Sequence, residues 1–373
     1  MRIRRIAALV AAAVVAVGAC SQTPGTTGAP SGSATACTVG VSWNNYAQPR
    51  WAKADEPAIR DAIEAAGGTY IKTDANDSSE QQLSDIDSLI NQGADALIIL
   101  AKDPEAILPA VQKAKDAGIP VIGYDRLIED EEAFYITFDN KRVGTIMAEV
   151  IMGLVPEGNY VIIKGHNADP NADFLRSGMT EAGVPELNDD SGPIDVVYED
   201  YTDNWDTTNA RNNMDAALAA ANNDVDAVIS ENDSMATGVV AALEAVGLAG
   251  DVPVSGQDGD TPALNRVALG TQAVSVWKDA FGLGETAGNV AIQLCGGTAL
   301  EDVTAPDTLK DHVKPDSNAA AAFETPGGNT VQSIILKPTP ITRENINLVV
   351  DLGWETKEAV CANVPAGTVD LCG

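Results

Sequence analysis

Charged and aromatic residues gather at a few points along this chain: Arg50 beside Trp51, Asp125 beside Arg126, Asn171 and Arg176, Trp205, Asn232 beside Asp233, Asp258, and Lys278. Each group follows a stretch that reads as a β-strand. The chemistry open to such a set is the holding of a small polyhydroxylated molecule. Hydroxyls both donate and accept, so they suit Asp, Asn, Arg and Lys in the plane of a sugar ring, while indoles suit its apolar C–H faces. Charged partners make the stronger bonds. Of the five tryptophans, Trp51 and Trp205 stand in polar loops. Taken singly, each of these residues is better explained as a surface ion pair or a helix cap, and Asp233 as the cap of a helix beginning near Ser234. Their shared position at strand ends is what makes them a set.

Catalytic signatures are thin. The chain has no Gly-x-Ser-x-Gly elbow, no Gly-x-x-x-x-Gly-Lys phosphate loop and no His-Glu-x-x-His pair. Gly282-Leu283-Gly284-Glu285-Thr286-Ala287 matches a loose dinucleotide pattern but lies late in the chain, without the βαβ unit that gives the pattern meaning. Asp74-Ala75-Asn76-Asp77 opens like a calcium loop, lacks the glycine at the sixth position, and reads as a helix-capping turn. Asp125 and Asp258 could act as a glycosidase pair, but nothing local marks either as a proton donor. A binding role without metal or cofactor is the stronger expectation.

The elements that must carry these residues repeat. Ala94 to Ile99, a helical pattern and Ile119-Pro120-Val121-Ile122-Gly123-Tyr124-Asp125 are echoed by Val225 to Ser230, a second helical pattern and Val252-Pro253-Val254-Ser255-Gly256-Gln257-Asp258. Each half is a buried strand, a crossover helix and a second buried strand ending in a carboxylate. Strands are expected at 38–43, 69–73, 134–138, 159–165, 195–199, 227–230, 252–255, 273–277 and 331–336, with helices between and an irregular polar stretch over 298–329. A last helix is expected from about Thr342, after the Pro338-Thr339-Pro340 turn. Such alternation predicts an α/β fold of two Rossmann-like lobes, parallel sheets flanked by helices. Open sheets of this kind bind ligands outside the carboxyl ends of their strands.

The leader and the charge point outside the cell. Residues 1–19 carry Arg2, Arg4 and Arg5, an apolar run too short to span a bilayer, and small residues before Cys20: a signal peptide with a lipoprotein-like Val-Gly-Ala-Cys box. Cys20 would bear the lipid, and residues 20–37 form a Ser/Thr/Gly/Pro-rich tether. Twenty-three basic against 54 acidic residues give a formal charge of −31. That excludes nucleic acid and an anionic lipid face as partners. Cys37, Cys295, Cys361 and Cys372 remain, with spacing wrong for zinc and only His166 and His312 to help. Three pairings are open. Cys361–Cys372 and Cys37–Cys295 are favoured.

Several motifs together resemble the periplasmic-binding-protein type I family, and within it the xylose-binding members that serve sugar ABC importers. They are Pro49-Arg50-Trp51, Tyr124-Asp125-Arg126, Phe134 through Asn140, Asn204-Trp205, Asn232-Asp233, Ser255-Gly256-Gln257-Asp258, Gly270-Thr271-Gln272, Lys278 and Pro338-Thr339-Pro340-Ile341. The resemblance implies that Arg50, Asp125, Arg126, Arg176, Asn232, Asp258 and Lys278 bond sugar hydroxyls. Trp51 and Trp205 would stack on the ring, and Asn171 matches a polar loop position. Together with the leader and Cys20, which place the chain outside the cell on a lipid anchor, the expectation is a monomeric receptor that hands a monosaccharide, most simply xylose, to an ABC permease. The alternatives are another aldose such as arabinose or glucose, or a sugar receptor for a membrane sensor kinase. Three chain crossings would form the hinge, near 131–133, 278–280 and 330–333. The lobes would then be 38–131 with 279–330, and 132–278 with 331–373. Asn44 and Asn45 stand where the family usually has acids, and the tail beyond Leu352 adds two cysteines.

Overall fold

The structure, a computed structural model, describes residues 37–189 and 191–373. The leader and Cys20 lie outside the described residues. Five strands open the body: β1 (Thr38–Trp43), β2 (Thr69–Asp74), β3 (Ala96–Ile99), β4 (Val121–Tyr124) and β5 (Ala133–Phe138). Five more follow: β6 (Gly158–Lys164), β7 (Ile194–Tyr201), β8 (Ala227–Ser230), β9 (Ser255–Gln257) and β10 (Val274–Trp277). Three strands close the series: β11 (Ala321–Glu324), β12 (Thr330–Leu336) and β13 (Thr339–Ile341).

The first sheet runs β11-β12-β5-β4-β3-β1-β2. Residues in β3, β4 and β5 are buried throughout, as expected of parallel strands covered on both faces. The second sheet runs β7-β6-β8, joins the β9 side through a Val228–Val254 bridge, and continues through β10 to antiparallel β13. Both lobes therefore share the order 2-1-3-4-5, and the sequence repeat is a structural one. Each lobe has its own apolar core, one around Val143, Ile162 and Val239 and another around Val41, Ile98 and Val290.

Two of the expected crossings are misplaced. β5 pairs with β4, and β12 pairs with β5, so both strands belong to the first lobe. The chain crosses between Phe138 and Asn140, between Trp277 and Ala280, and between Leu336 and Thr339. Residues 133–138 and 330–336 thus move from the second lobe to the first. An apolar strand declares itself locally, but the sheet it joins is a long-range choice. The stretch 298–329 is also less irregular than expected. It places Val303, Leu309 and Val313 in the core and contributes β11, antiparallel to β12. The helix expected from about Thr342 starts later, as the short helix Asn347–Asp351, and is not the last, since Lys357–Val360 follows it.

The paired cysteines are Cys37–Cys295 and Cys361–Cys372. The glycines of the loose dinucleotide pattern serve packing. A Cβ on Gly284 would lie 2.7 Å from Ala58 and 2.8 Å from the Asp55 carbonyl, so only glycine lets the helix Ala280–Cys295 close on the helix Glu56–Ala65. Among the described residues, no helix is long and apolar enough to cross a membrane.

Candidate functional site

Strand ends from both lobes converge on one cleft. Its wall is made by Gln48, Arg50, Trp51, Asp125 and Arg126 from the first lobe and Asp169, Asn171, Trp205, Asn232, Gln257, Asp258 and Lys278 from the second or its border. Each segment is held there for a local reason. Asp125 and Asp258 end the matching strands β4 and β9, and both have left-handed backbone, φ 62° and 100°. Each donates its N–H to the next parallel strand, Asp125 to Ile136 at 2.8 Å and Asp258 to Val276 at 3.0 Å. Non-glycine residues rarely hold such angles without support from their surroundings, and cases cluster at ligand sites. Arg50 and Trp51 open a π-turn over Trp51–Asp55, a rare form common at functional positions.

Arg50 is the centre. It is 2% exposed, bonds Asp55 through Nε (3.1 Å) and Nη2 (2.8 Å), and reaches Asp125 Oδ2 and Asp258 Oδ1 at 3.3 Å each. Its guanidinium also lies 4.5 Å from the Trp51 ring centroid. Burial raises the Asp55 carboxyl to about 6, although Arg50 and the Tyr124 hydroxyl at 2.6 Å pull it the other way. Lys278 bonds Asn140 at 2.7 Å, and burial lowers its ammonium from the ordinary lysine range against the pull of Asp125 and Asp258. Asn140 in turn donates to Asn171 at 2.8 Å, and Asn171 to the Asp125 carbonyl at 3.1 Å.

Trp205 sits on a short turn at φ 55° and donates its indole N–H to Asp169 at 3.2 Å. Its ring packs on Gly165, where a Cβ would stand 2.1 Å away. Asn232 caps the helix Asp233–Val246 by accepting from Met235 N, which frees its amide to donate to Gln48 across the cleft at 3.1 Å. The expected cap Asp233 does other work. Its carboxylate accepts from Ser275, Gln272 and the N–H groups of Gly259 and Asp260, which fixes the loop carrying Asp258.

Nine of the ten expected site residues meet in this wall. Arg176 does not. It is five positions beyond Asn171 on the helix Pro170–Ala182, turned about 140° around the axis. There it bonds Glu199 at 3.0 Å, Thr180 at 2.7 Å and the Pro185 carbonyl at 2.7 Å. Arg176→Ala is therefore expected to lower the melting temperature by about 5 °C while ligand affinity stays within about twofold; calorimetry and titration of one sample check both. Sequence reading missed Gln48, Asp169 and Gln257. Gln48 adjoins one motif already singled out and Gln257 lies inside another, whereas Asp169 before Pro170 looks like an ordinary helix cap.

The wall holds three cations, Arg50, Arg126 and Lys278, against three carboxylates, Asp125, Asp169 and Asp258. A charge-balanced wall favours a neutral ligand over a phosphate or an amino acid. Trp51 Nε1 and Gln257 Oε1 are buried without a hydrogen-bond partner, while Asp125 Oδ2 and Arg126 Nε, also without one, are each met by an ion pair, at 3.3 Å from Arg50 Nη2 and 2.9 Å from Asp169 Oδ2. An unmet buried group costs about 1–3 kcal/mol, which a ligand with several hydroxyls would recover. The space between the side chains is about 330 Å³, part of it at the mouth. Counting the open solvent at the mouth, that is an upper bound, and it leaves room only for a small molecule. Among the described residues, no cluster could hold a metal ion. Asp125 and Asp258 both face Arg50, an arrangement that holds acceptors rather than presenting an acid and a base.

A family profile for the periplasmic binding protein domain matches residues 39–299. The chain belongs to that family, whose members are binding proteins rather than enzymes. It is 38% identical to the D-xylose-binding periplasmic protein of Escherichia coli K12 over 275 residues, 73% of this chain and 82% of the relative. The D-xylose-binding periplasmic protein of Haemophilus influenzae is 33% identical over 324 residues, 86% of this chain and 91% of the relative. An ABC transporter solute binding protein from Clostridium phytofermentans, solved with bound β-D-glucose, is similar at a TM-score of 0.74 and 28% identity, over 87% of this chain and 99% of that one.

Proposed function

We propose that this chain is an extracytoplasmic receptor that captures one monosaccharide, D-xylose, between its lobes and delivers it to an ABC importer. The observation that carries the reading is the charge-balanced wall, with an indole and a strand-end carboxylate from each lobe and buried polar atoms left to bond. The two D-xylose-binding relatives support the choice of sugar. Nine residues are assigned to the ligand: Arg50, Trp51, Asp125, Arg126, Asn171, Trp205, Asn232, Asp258 and Lys278, joined by Gln48, Asp169 and Gln257. A ligand that touches both lobes adds contacts available only when they are closed, so binding shifts the hinge toward the closed state. The closed pair of lobes is the surface a permease reads. The receptor acts as a monomer, tethered through Cys20.

Titration calorimetry of the mature protein against D-xylose, L-arabinose, D-glucose and a nucleoside tests the reading. The expected result is saturable one-to-one binding of D-xylose that glucose displaces poorly. Silence toward every aldose would reject it, and preference for glucose would replace the sugar but keep the class.

A further inference from the structure

The tail beyond Leu352 lies outside the stretch matched by the family profile, yet it touches both lobes directly behind the site. Trp354 is buried and donates its indole N–H to the Gly259 carbonyl at 2.6 Å, the residue after the ligand carboxylate Asp258. Glu355, next in the chain, accepts from Thr261, which opens the helix Thr261–Leu269 just after that loop, and from Lys53 Nζ at 2.6 Å. Lys53 belongs to the first lobe, in the π-turn that begins at Trp51. Its ammonium also lies 4.8 Å from the Trp354 ring centroid. The tail is itself pinned to the second lobe, where Asn265 donates to the carbonyls of Val360 and Ala362, and is closed on itself by Cys361–Cys372.

Resting on the reading of the cleft as a ligand clamp, we infer that Trp354 and Glu355 are positioning residues that latch the two ligand-bearing segments together from outside the cavity. Trp354 sets the loop of Asp258, and Glu355 ties that loop to the segment of Arg50 and Trp51. The Lys53–Glu355 pair spans the two lobes, so it strengthens the closed state and slows release of whatever the cleft holds. It touches no ligand atom. Loss of the latch must therefore weaken all ligands by the same factor, whereas loss of a wall residue changes the ranking among them.

Lys53→Met, Glu355→Gln and the double variant of the full mature chain test this, with Trp354→Phe as a variant that keeps an aromatic ring, though a smaller one, and drops the N–H. Stopped-flow tryptophan fluorescence and titration against D-xylose and L-arabinose are the readouts, with small-angle scattering of the unliganded protein. Each single variant should raise Kd about tenfold, chiefly through faster release. The xylose-to-arabinose ratio should not change, and the double variant should be no weaker than the weaker single. The unliganded variants should scatter as a more open particle. Affinity within about twofold of wild type alongside a lower melting temperature would reduce the tail to a brace and overturn the inference, as would additive losses in the double variant. If wild type binds no aldose, the assigned sugar fails; the scattering comparison still decides the latch.

Discussion

Asp258→Asn should raise the Kd for D-xylose about 100-fold while leaving the fold intact. Asparagine is the fair probe because it tolerates the left-handed backbone at this position, φ 100°, better than alanine does. The loop would keep its shape, since Asp233 holds the Gly259 and Asp260 N–H groups and Trp354 holds the Gly259 carbonyl. What is lost is the carboxylate charge. Asp258 is 7% exposed and faces Arg50 Nη1 at 3.3 Å, so it serves both as a ligand acceptor and as one side of a bond between lobes. A charge-assisted bond is about twice as strong as a neutral one, and truncating one partner of a buried charge pair costs about 2–5 kcal/mol. Calorimetric titration gives the affinity, and a thermal melt within about 3 °C of wild type shows that the fold survived. An affinity changed by less than threefold would remove Asp258 from the ligand set.

The twin architecture was legible because each half repeats an apolar strand, a helical pattern and a second buried strand that runs into aspartate, at Asp125 and Asp258, and such a repeat shows in the sequence itself. The sheet that a strand joins is a different kind of information. Ala133–Phe138 is buried at every position and would satisfy either core; its pairing with Val121–Tyr124 is what places it in the first lobe. Ala321–Glu324 went unseen for the opposite reason, being an edge strand largely open to solvent with no apolar alternation. At the site, Trp205 was visible by type, but its aim depends on positive φ at Asn204 and Trp205 and on the hollow at Gly165, none of which sequence spacing reports. Arg176 failed on phase. A polar residue on a helix that starts in the cleft points into it only within the first turn, and Arg176 is in the second. Asp169 was hidden by its ordinary chemistry, since an aspartate before a proline reads first as a helix cap, and Gln48 because a neutral polar residue before a proline reads as part of a turn.

Arg50→Met is expected to do the most damage, and the damage separates into two parts. Binding should fall more than 1,000-fold, because the guanidinium meets carboxylates of both lobes, Asp125 and Asp258. Stability should fall by about 3–5 kcal/mol at pH 7.5, because Asp55, 0% exposed, keeps only the Tyr124 hydroxyl. The pH dependence follows from the sign of the shift. In the wild type the Asp55 carboxyl is raised to about 6, above an unfolded value near 3.9, so its stabilising contribution is complete below the unfolded value and is lost as pH rises through the folded one. Removing Arg50 takes away the strongest pull downward and raises the folded value further. Wild type and variant therefore both hold Asp55 protonated at low pH and differ most where only the wild type can keep it ionised. The stability gap between them should be wide at pH 7.5 and narrow by pH 4.5, read from urea melts at both. Arg50→Met with Asp55→Asn should recover most of the stability at pH 7.5 and none of the affinity. A double variant as unstable as the single would mean that Asp55 is not the group left stranded, and one that bound xylose would mean that Arg50 is a structural residue of the turn and not part of the clamp.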